Sequence, residues 1–290
     1  MVLVSGLSEP EGPVLLPDGS WLCVEMGAGR GCVTHISPDG QSKRVVARTG
    51  RPNGLAVDRQ GAIWVAESSV PSLLRVTLDG KVETFATGCN GEAFLFPNDL
   101  CFGPDGALYL TDSGILIQDF APGGKIRPDW GAAMPDGRVY RVDVKTGKIR
   151  RLDNGLRFTN GIAFGPDNNL YANETLTGMV YRYEWKSGDR IGPRENFSNV
   201  VDWGLPFGYR GPDGMKFGAD GRLFVTVYGQ RDVTVLGRDG AVVQRLKTAG
   251  GKPTNCVFGP QGQHKLYVTE VEFGGIEVLD VGTDGLPLYT

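Results

Sequence analysis

The sequence predicts an all-β fold, a six-bladed β-propeller with four strands in each blade. Three observations lead there. One strand–turn–strand unit recurs six times, the 44 Gly and 18 Pro of the 290 residues fall at regular intervals, and six such units account for nearly the whole chain. Many short strands joined by tight turns account for all three.

The repeat begins at Glu11 (EGPVLLPDGSWLCV) and returns from Asn53, Asn98, Asn160, Asp213 and Asn255, at intervals of 42, 45, 62, 53 and 42 residues. That interval is close to one four-stranded blade. In each copy a short apolar strand meets a turn such as Asp18-Gly19 or Asp105-Gly106, where Gly accepts a positive φ. A second strand rich in aromatic and β-branched residues follows. The rest of each unit supplies two more strands, as in Leu73–Leu78 and Val82–Ala86 around Asp79-Gly80. After Asn255 only three strands remain, so Val2–Gly6 is expected to donate the outer strand of the last blade and close the ring. No linker or break in composition divides the chain, and residues 1–290 read as one domain.

Composition narrows the function. The formal net charge is −3, with no block of like charge, so neither nucleic acid nor a membrane surface is expected as a partner. No span approaches the apolar length of a membrane helix, and the N-terminus lacks a signal-peptide pattern. A soluble, cytoplasmic protein is the expectation. Five widely spaced cysteines without a CxxC pair read as reduced thiols, with Cys23, Cys101 and Cys256 in strand cores.

Aligning the copies on their first residue gives Glu11, Asn53, Asn98, Asn160, Asp213 and Asn255. Blades are radial, so these six amides and carboxylates converge on one end of the central channel. Fourteen residues further on, with one extra residue in the last copy, stand Glu25, Glu67, Asp112, Glu174, Val227 and Glu270. An antiparallel hairpin sets them beside the strand starts, so five acids lie just behind the ring. Single residues of this kind usually cap strands. Six in one register would repel and stay poorly satisfied without a cation among them. All-oxygen donors favour Ca²⁺ or Mg²⁺, with Mn²⁺ and Zn²⁺ as lesser candidates. The two histidines, His35 and His264, fall in or near turns and offer no competing site. No GxSxG occurs, and Ser68 and Ser113 lack a base, so a serine nucleophile has little support.

The chain resembles the SMP-30/gluconolactonase/LRE-like group of six-bladed propellers over nearly its full length. The resemblance rests on Pro10-Glu11-Gly12-Pro13, Pro97-Asn98-Asp99-Leu100 with Tyr109-Leu110-Thr111-Asp112-Ser113, Thr159-Asn160-Gly161-Ile162-Ala163-Phe164, and Pro212-Asp213-Gly214-Met215. It implies one catalytic divalent cation on Glu11, Asn160 and Asp213, with Asn98 beside it as a further ligand or substrate contact. It also implies hydrolysis of lactones, often sugar lactones, with Asp213 as the base. A metal-held carboxylate is a weak base, so Asp112, Glu174 or Glu25 stand as alternatives, or as groups that orient the ligands.

Where sugar-acid members of that group carry Arg, this chain has Phe96, flanked by Phe94 and Leu95. Arg210 and Arg157 are candidates to take the missing place. Asn53, Phe96, Trp203 and Tyr209 are further candidates for substrate contact. The long interval before Asn160 holds an insertion, residues 115–136, expected to form a lid over the channel mouth. The segment 202–210, including Phe207, is expected to line the same mouth. Two other functions stay open: a phosphotriesterase-like hydrolase acting on organophosphates, and a binding propeller whose Ca²⁺ is structural.

Overall fold

The computed structural model describes residues 1–187, 190–206 and 208–290. Six four-stranded antiparallel sheets form in chain order around a ring, a six-bladed β-propeller. Phe207, expected at the mouth, lies outside the described residues.

The innermost strands are Pro10–Leu15, Pro52–Val57, Pro97–Phe102, Thr159–Phe164, Gly211–Phe217 and Pro253–Phe258. Five are led by a proline that begins the strand or, in blade 5, follows its first residue. A missing N–H is tolerated at a strand's beginning. The expected Asp-Gly turns form, with Gly19 at φ 84° and Gly106 at φ 70°. The ring closes as anticipated: Val2–Ser5 pairs with Gly275–Asp280, with Val4 opposite Ile276 and Ser5 opposite Gly275.

The inner strands of each blade are buried on both faces, as in Trp21–Glu25 and Ile63–Glu67, and their two sets of side chains meet those of the blades on either side. Six apolar clusters result, one at each blade–blade boundary. Between blades 1 and 2, for instance, Leu22 and Val24 pack with Ile63 and Val65. Between blades 6 and 1, Trp21 stacks at 4.1 Å on Tyr267. Burying side chains of this size contributes about 1.5–3 kcal/mol each. The blades are therefore held rigidly, and the strand starts that face the channel are held with them.

All five cysteines are free thiols, and Cys101 alone is only half-buried. His35 lies near the end of the strand Cys32–Ile36, beside the turn closed by Gly40 N to Ser37 O, and its Nε2 is 3.0 Å from Ser20 Oγ. His264 does occupy a turn, at φ 54°. Among the described residues no helix is long and apolar enough to cross a membrane.

Candidate active site

Every innermost strand breaks its pairing register just after it begins. The shifts fall between Glu11 and Val14, Pro52 and Leu55, Pro97 and Leu100, Thr159 and Ile162, Pro212 and Met215, and Pro253 and Cys256. A bulge of this kind re-aims side chains. Here it turns both the ring residue and its successor toward the channel.

Glu11, Asn53, Asn98 and Asn160 come together at the mouth, nearly fully buried, with Asp213 half-buried beside them. The amides are aimed by hydroxyls. Asn98 Nδ2 donates to Ser113 Oγ at 2.8 Å, and that hydroxyl donates onward to Thr159 O. Asn160 Nδ2 donates to Thr175 Oγ1 at 3.2 Å, which donates to Pro212 O. Both amide oxygens are thereby turned the other way. Asn98 Oδ1, Asn160 Oδ1 and Glu11 Oε2 are buried and have no hydrogen-bond partner. Asn53 makes no side-chain hydrogen bond among the described residues and faces the same opening.

The last blade corrects the sequence alignment. Pro253 pairs with Glu270 as Pro52 pairs with Glu67, so Thr254, not Asn255, stands at the ring position. Thr226 Oγ1 donates to Thr254 O, as Thr111 Oγ1 does to Asn160 O. Asn255 sits one level deeper, where four blades have Gly12, Gly54, Gly161 and Gly214. Those glycines are needed: a Cβ on Gly161 would lie 2.3 Å from Asp213 O, and one on Gly214 would lie 2.1 Å from the Asn255 side chain. Blade 3 has Asp99 at this level. Asn255 Nδ2 reaches Glu11 Oε1 at 2.9 Å and, across the channel, Asp99 Oδ2 at 3.4 Å.

The acids behind the ring hold backbone. Glu25 accepts from Ser8 N, Glu67 from Arg51 N, Asp112 from Leu95 N and Phe96 N, Glu174 from Arg157 N, and Glu270 from Lys252 N. Each donor lies two or three residues ahead of a ring residue, Lys252 standing two ahead of Thr254. The acids thus latch the loops that feed the innermost strands. Glu25 also takes Arg30 and Thr34, and Glu174 takes Thr177 and Tyr181. Glu25, Asp112 and Glu174 touch the ring only through this backbone.

Above the ring, residues 115–136 fold into short helical turns, Ile117–Phe120, Pro122–Gly124 and Trp130–Ala132. They pack as a cap on Phe96, Phe158 and Leu176. Phe96 meets Phe158 at 5.7 Å, Phe158 meets Phe120 at 4.5 Å, and Tyr209 meets Trp130 at 5.4 Å. Phe158 adopts φ 75°, a costly conformation for an aromatic residue that this packing sustains. Trp203 stands apart from the cluster, its side chain 66% exposed. Arg157 is occupied by the cap, donating to Gly131 O and Ala133 O, and Arg210 by its own loop, at Asp202 O and Pro206 O.

The guanidinium at the mouth is Arg51, which the sequence reading passed over. It stands two residues before Asn53, at the register Phe96 holds before Asn98. It lies 5.5 Å over the Phe96 ring and bonds Ser68 Oγ at 3.1 Å. Burial lowers its pKa, opposed by Glu9, Glu67, Glu11 and Asp213. Burial raises the carboxyl of Glu11 well above the ordinary range, with Asp99 and Asp213 adding to it. Burial does the same to Asp213, helped by Asp99 and opposed by Asn160 and Arg51. Burial also raises Tyr209, with Asp213 adding to it.

Among the described residues, nowhere do three or more His, Cys, Asp or Glu side chains gather as a metal-binding group. The donor set that forms is mixed: two carboxylates and two amide oxygens, three of the donor atoms unpartnered. Acceptor-only oxygens at one level fit a hard divalent cation.

A gluconolactonase of Zymomonas mobilis is 27% identical over 90% of this chain and 76% of its own. A strictosidine synthase-like protein of Arabidopsis thaliana is 28% identical over 93% of this chain and 69% of its own. The solved structure of a calcium-binding protein, regucalcin, from Agrobacterium tumefaciens shares the fold, with a TM-score of 0.79 at 20% identity over 100% of this chain and 96% of that one. The model of the SMP-30/Gluconolactonase/LRE-like region matches residues 9–272, and the chain belongs to that family.

Proposed function

We propose that this protein hydrolyses lactones at one divalent cation held by Glu11, Asn98, Asn160 and Asp213, with Ca²⁺ the first candidate. The observation that carries the reading is the trio of buried, unpartnered oxygens, Glu11 Oε2, Asn98 Oδ1 and Asn160 Oδ1. The gluconolactonase and the calcium-binding relative support the ester chemistry and the ion respectively. When bound, a divalent cation polarises an ester carbonyl and acidifies water.

The chain's own groups do the rest. Asn98 and Asn160 are held by Ser113 and Thr175 with their oxygens fixed toward the centre. Glu11 is fixed by Asn255. Asp213, the half-buried carboxylate of the set, faces the opening and takes the proton from the attacking water. Arg51 places positive charge beside the two carboxylates, where negative charge grows on the ester oxygen. The aromatic cap excludes water above the reacting bond. With Phe96 where a guanidinium would bind sugar hydroxyls, the wall favours a lactone with an apolar substituent. The same wall favours a neutral phosphotriester as the second reading.

Acid release from sugar, aliphatic and aromatic lactones, with an organophosphate alongside, tests both. Protein stripped by chelator should be inactive and regain turnover with one added cation. Cation-loaded protein that turns over no lactone would overturn the reading, and turnover of the organophosphate alone would replace it with the second.

A further inference from the structure

The channel continues below the mouth and changes character. Two positions past the glycine level stand Val14, Ala56, Cys101, Ala163, Lys216 and Val257, one from each blade by strand register. Five are small and apolar; Lys216 is the exception. Beneath this layer opens a cavity of about 570 Å³, at the end of the propeller remote from Glu11 and Asp213. Its walls are the far ends of the innermost strands, including Phe102, Phe164 and Phe217. The segment Leu286–Thr290 straps across it, fixed by Leu286 N to Phe217 O at 2.9 Å and Tyr289 Oη to Asn168 Oδ1 at 2.7 Å.

The Lys216 ammonium lines this cavity with its donors mostly unused. Nζ bonds Met215 O at 3.1 Å, and among the described residues no carboxylate lies within 4 Å of it. Burial opposes its charge, and Asp99 and Glu11 in the layers above more than offset that from beyond ion-pair distance. The other charged side chains of the lining are committed elsewhere: Asp18 accepts from Ser20, Asp58 from Trp64, and Arg59 donates to Thr290 Oγ1. The ammonium is thus held charged at the closed end of an apolar pocket with donors free for an anion that enters it.

We propose that this cavity binds an aliphatic carboxylate of about ten carbons, with its chain in the apolar space and its carboxylate on Lys216 Nζ. At about 30 Å³ for each heavy atom, a ten-carbon acid occupies roughly 360 Å³ and fits. The site is independent of the lactone reading.

The test is calorimetric titration of the full chain with octanoate, decanoate and decan-1-ol. One site is expected, tightening about fourfold for each added methylene. Decanol should bind about tenfold more weakly than decanoate, since it offers no charge to the ammonium. Lys216→Met should erase that preference while keeping decanol, and Ala56→Trp, which fills the cavity, should abolish both. Decanoate binding should survive chelator treatment and Asp213→Asn, which separates this site from the mouth. No binding of decanoate, decanol binding as well as decanoate, or binding lost with the cation would each overturn the proposal. If Lys216→Met does not fold, the comparison of decanoate with decanol and the Ala56→Trp variant still decide it.

Discussion

Stripping the cation should make this fold pH-sensitive in the direction opposite to that of an ordinary paired carboxylate. The Glu11 and Asp213 carboxyls are raised well above their usual range by burial and by neighbouring carboxylates. A group with a raised folded pKa binds its proton more tightly when folded. Its contribution is therefore fully present below the unfolded pKa, near 4, and is lost as pH climbs through the raised folded value. Each unit of elevation costs about 1.4 kcal/mol once the group is ionised. A bound cation uses the ionised forms and offsets the loss. At a hundredfold excess over Kd it adds about 2.7 kcal/mol, or about 5 °C in Tm for a chain this large. Differential scanning calorimetry of stripped and Ca²⁺-loaded protein at pH 5, 6.5 and 8 would measure this. The gap between the two should widen with pH. Asp112, Asp232 and Glu277 are raised as well, by burial first, but they act in both samples and largely cancel in the difference. A gap of equal size at pH 5 and pH 8, or none at pH 8, would refute the assignment of these carboxylates to a cation.

Three further outcomes follow from contacts around the ring. Ser113→Ala or Thr175→Val should weaken cation affinity about 10- to 100-fold in a calcium titration, by freeing the amide each hydroxyl aims. Arg51→Gln should tighten the cation, because a positive charge leaves the carboxylates, while lactone kcat/KM falls at least tenfold; a parallel loss of both would mean that Arg51 only holds the loop. Gly161→Ala should cost about 1–3 kcal/mol in a denaturant melt, since its Cβ would meet Asp213 O at 2.3 Å. Gly131→Ala, with nothing within 4 Å, should be near neutral in the same melt.

The blades were legible because each copy repeats the same physics. Two apolar strands flank a turn that needs glycine, and the chain departs from that period mainly at residues 115–136 and between Trp185 and Gly211. The mouth was legible for the same reason in five blades. It failed in the sixth because the alignment matched Asn255 to the other asparagines by residue type. A better signal was present. Proline precedes the ring residue at Pro10, Pro52, Pro97 and Pro212, and Pro253 would have pointed to Thr254. Arg51 was not legible because the candidates, Arg157 and Arg210, precede Asn160 and Asp213, whereas the register of Phe96 carries its guanidinium in the neighbouring blade, before Asn53.

What no periodicity could supply is the bulge. In a regular strand, successive side chains point to opposite faces, so Asp99 would be turned away from the face that carries Asn98. The register shift after each ring residue lets both face the channel, and only Asp99 and Asn255 use the second position for a polar side chain. Those two close the channel beneath the mouth through one amide, which also fixes Glu11. Lys216 then lies on the far side of that closure, facing apolar walls. Acidic groups at one end and the Lys216 ammonium at the other thus follow from a single repeated backbone irregularity. The two ends can therefore take ligands of opposite charge without competing for the same side chains.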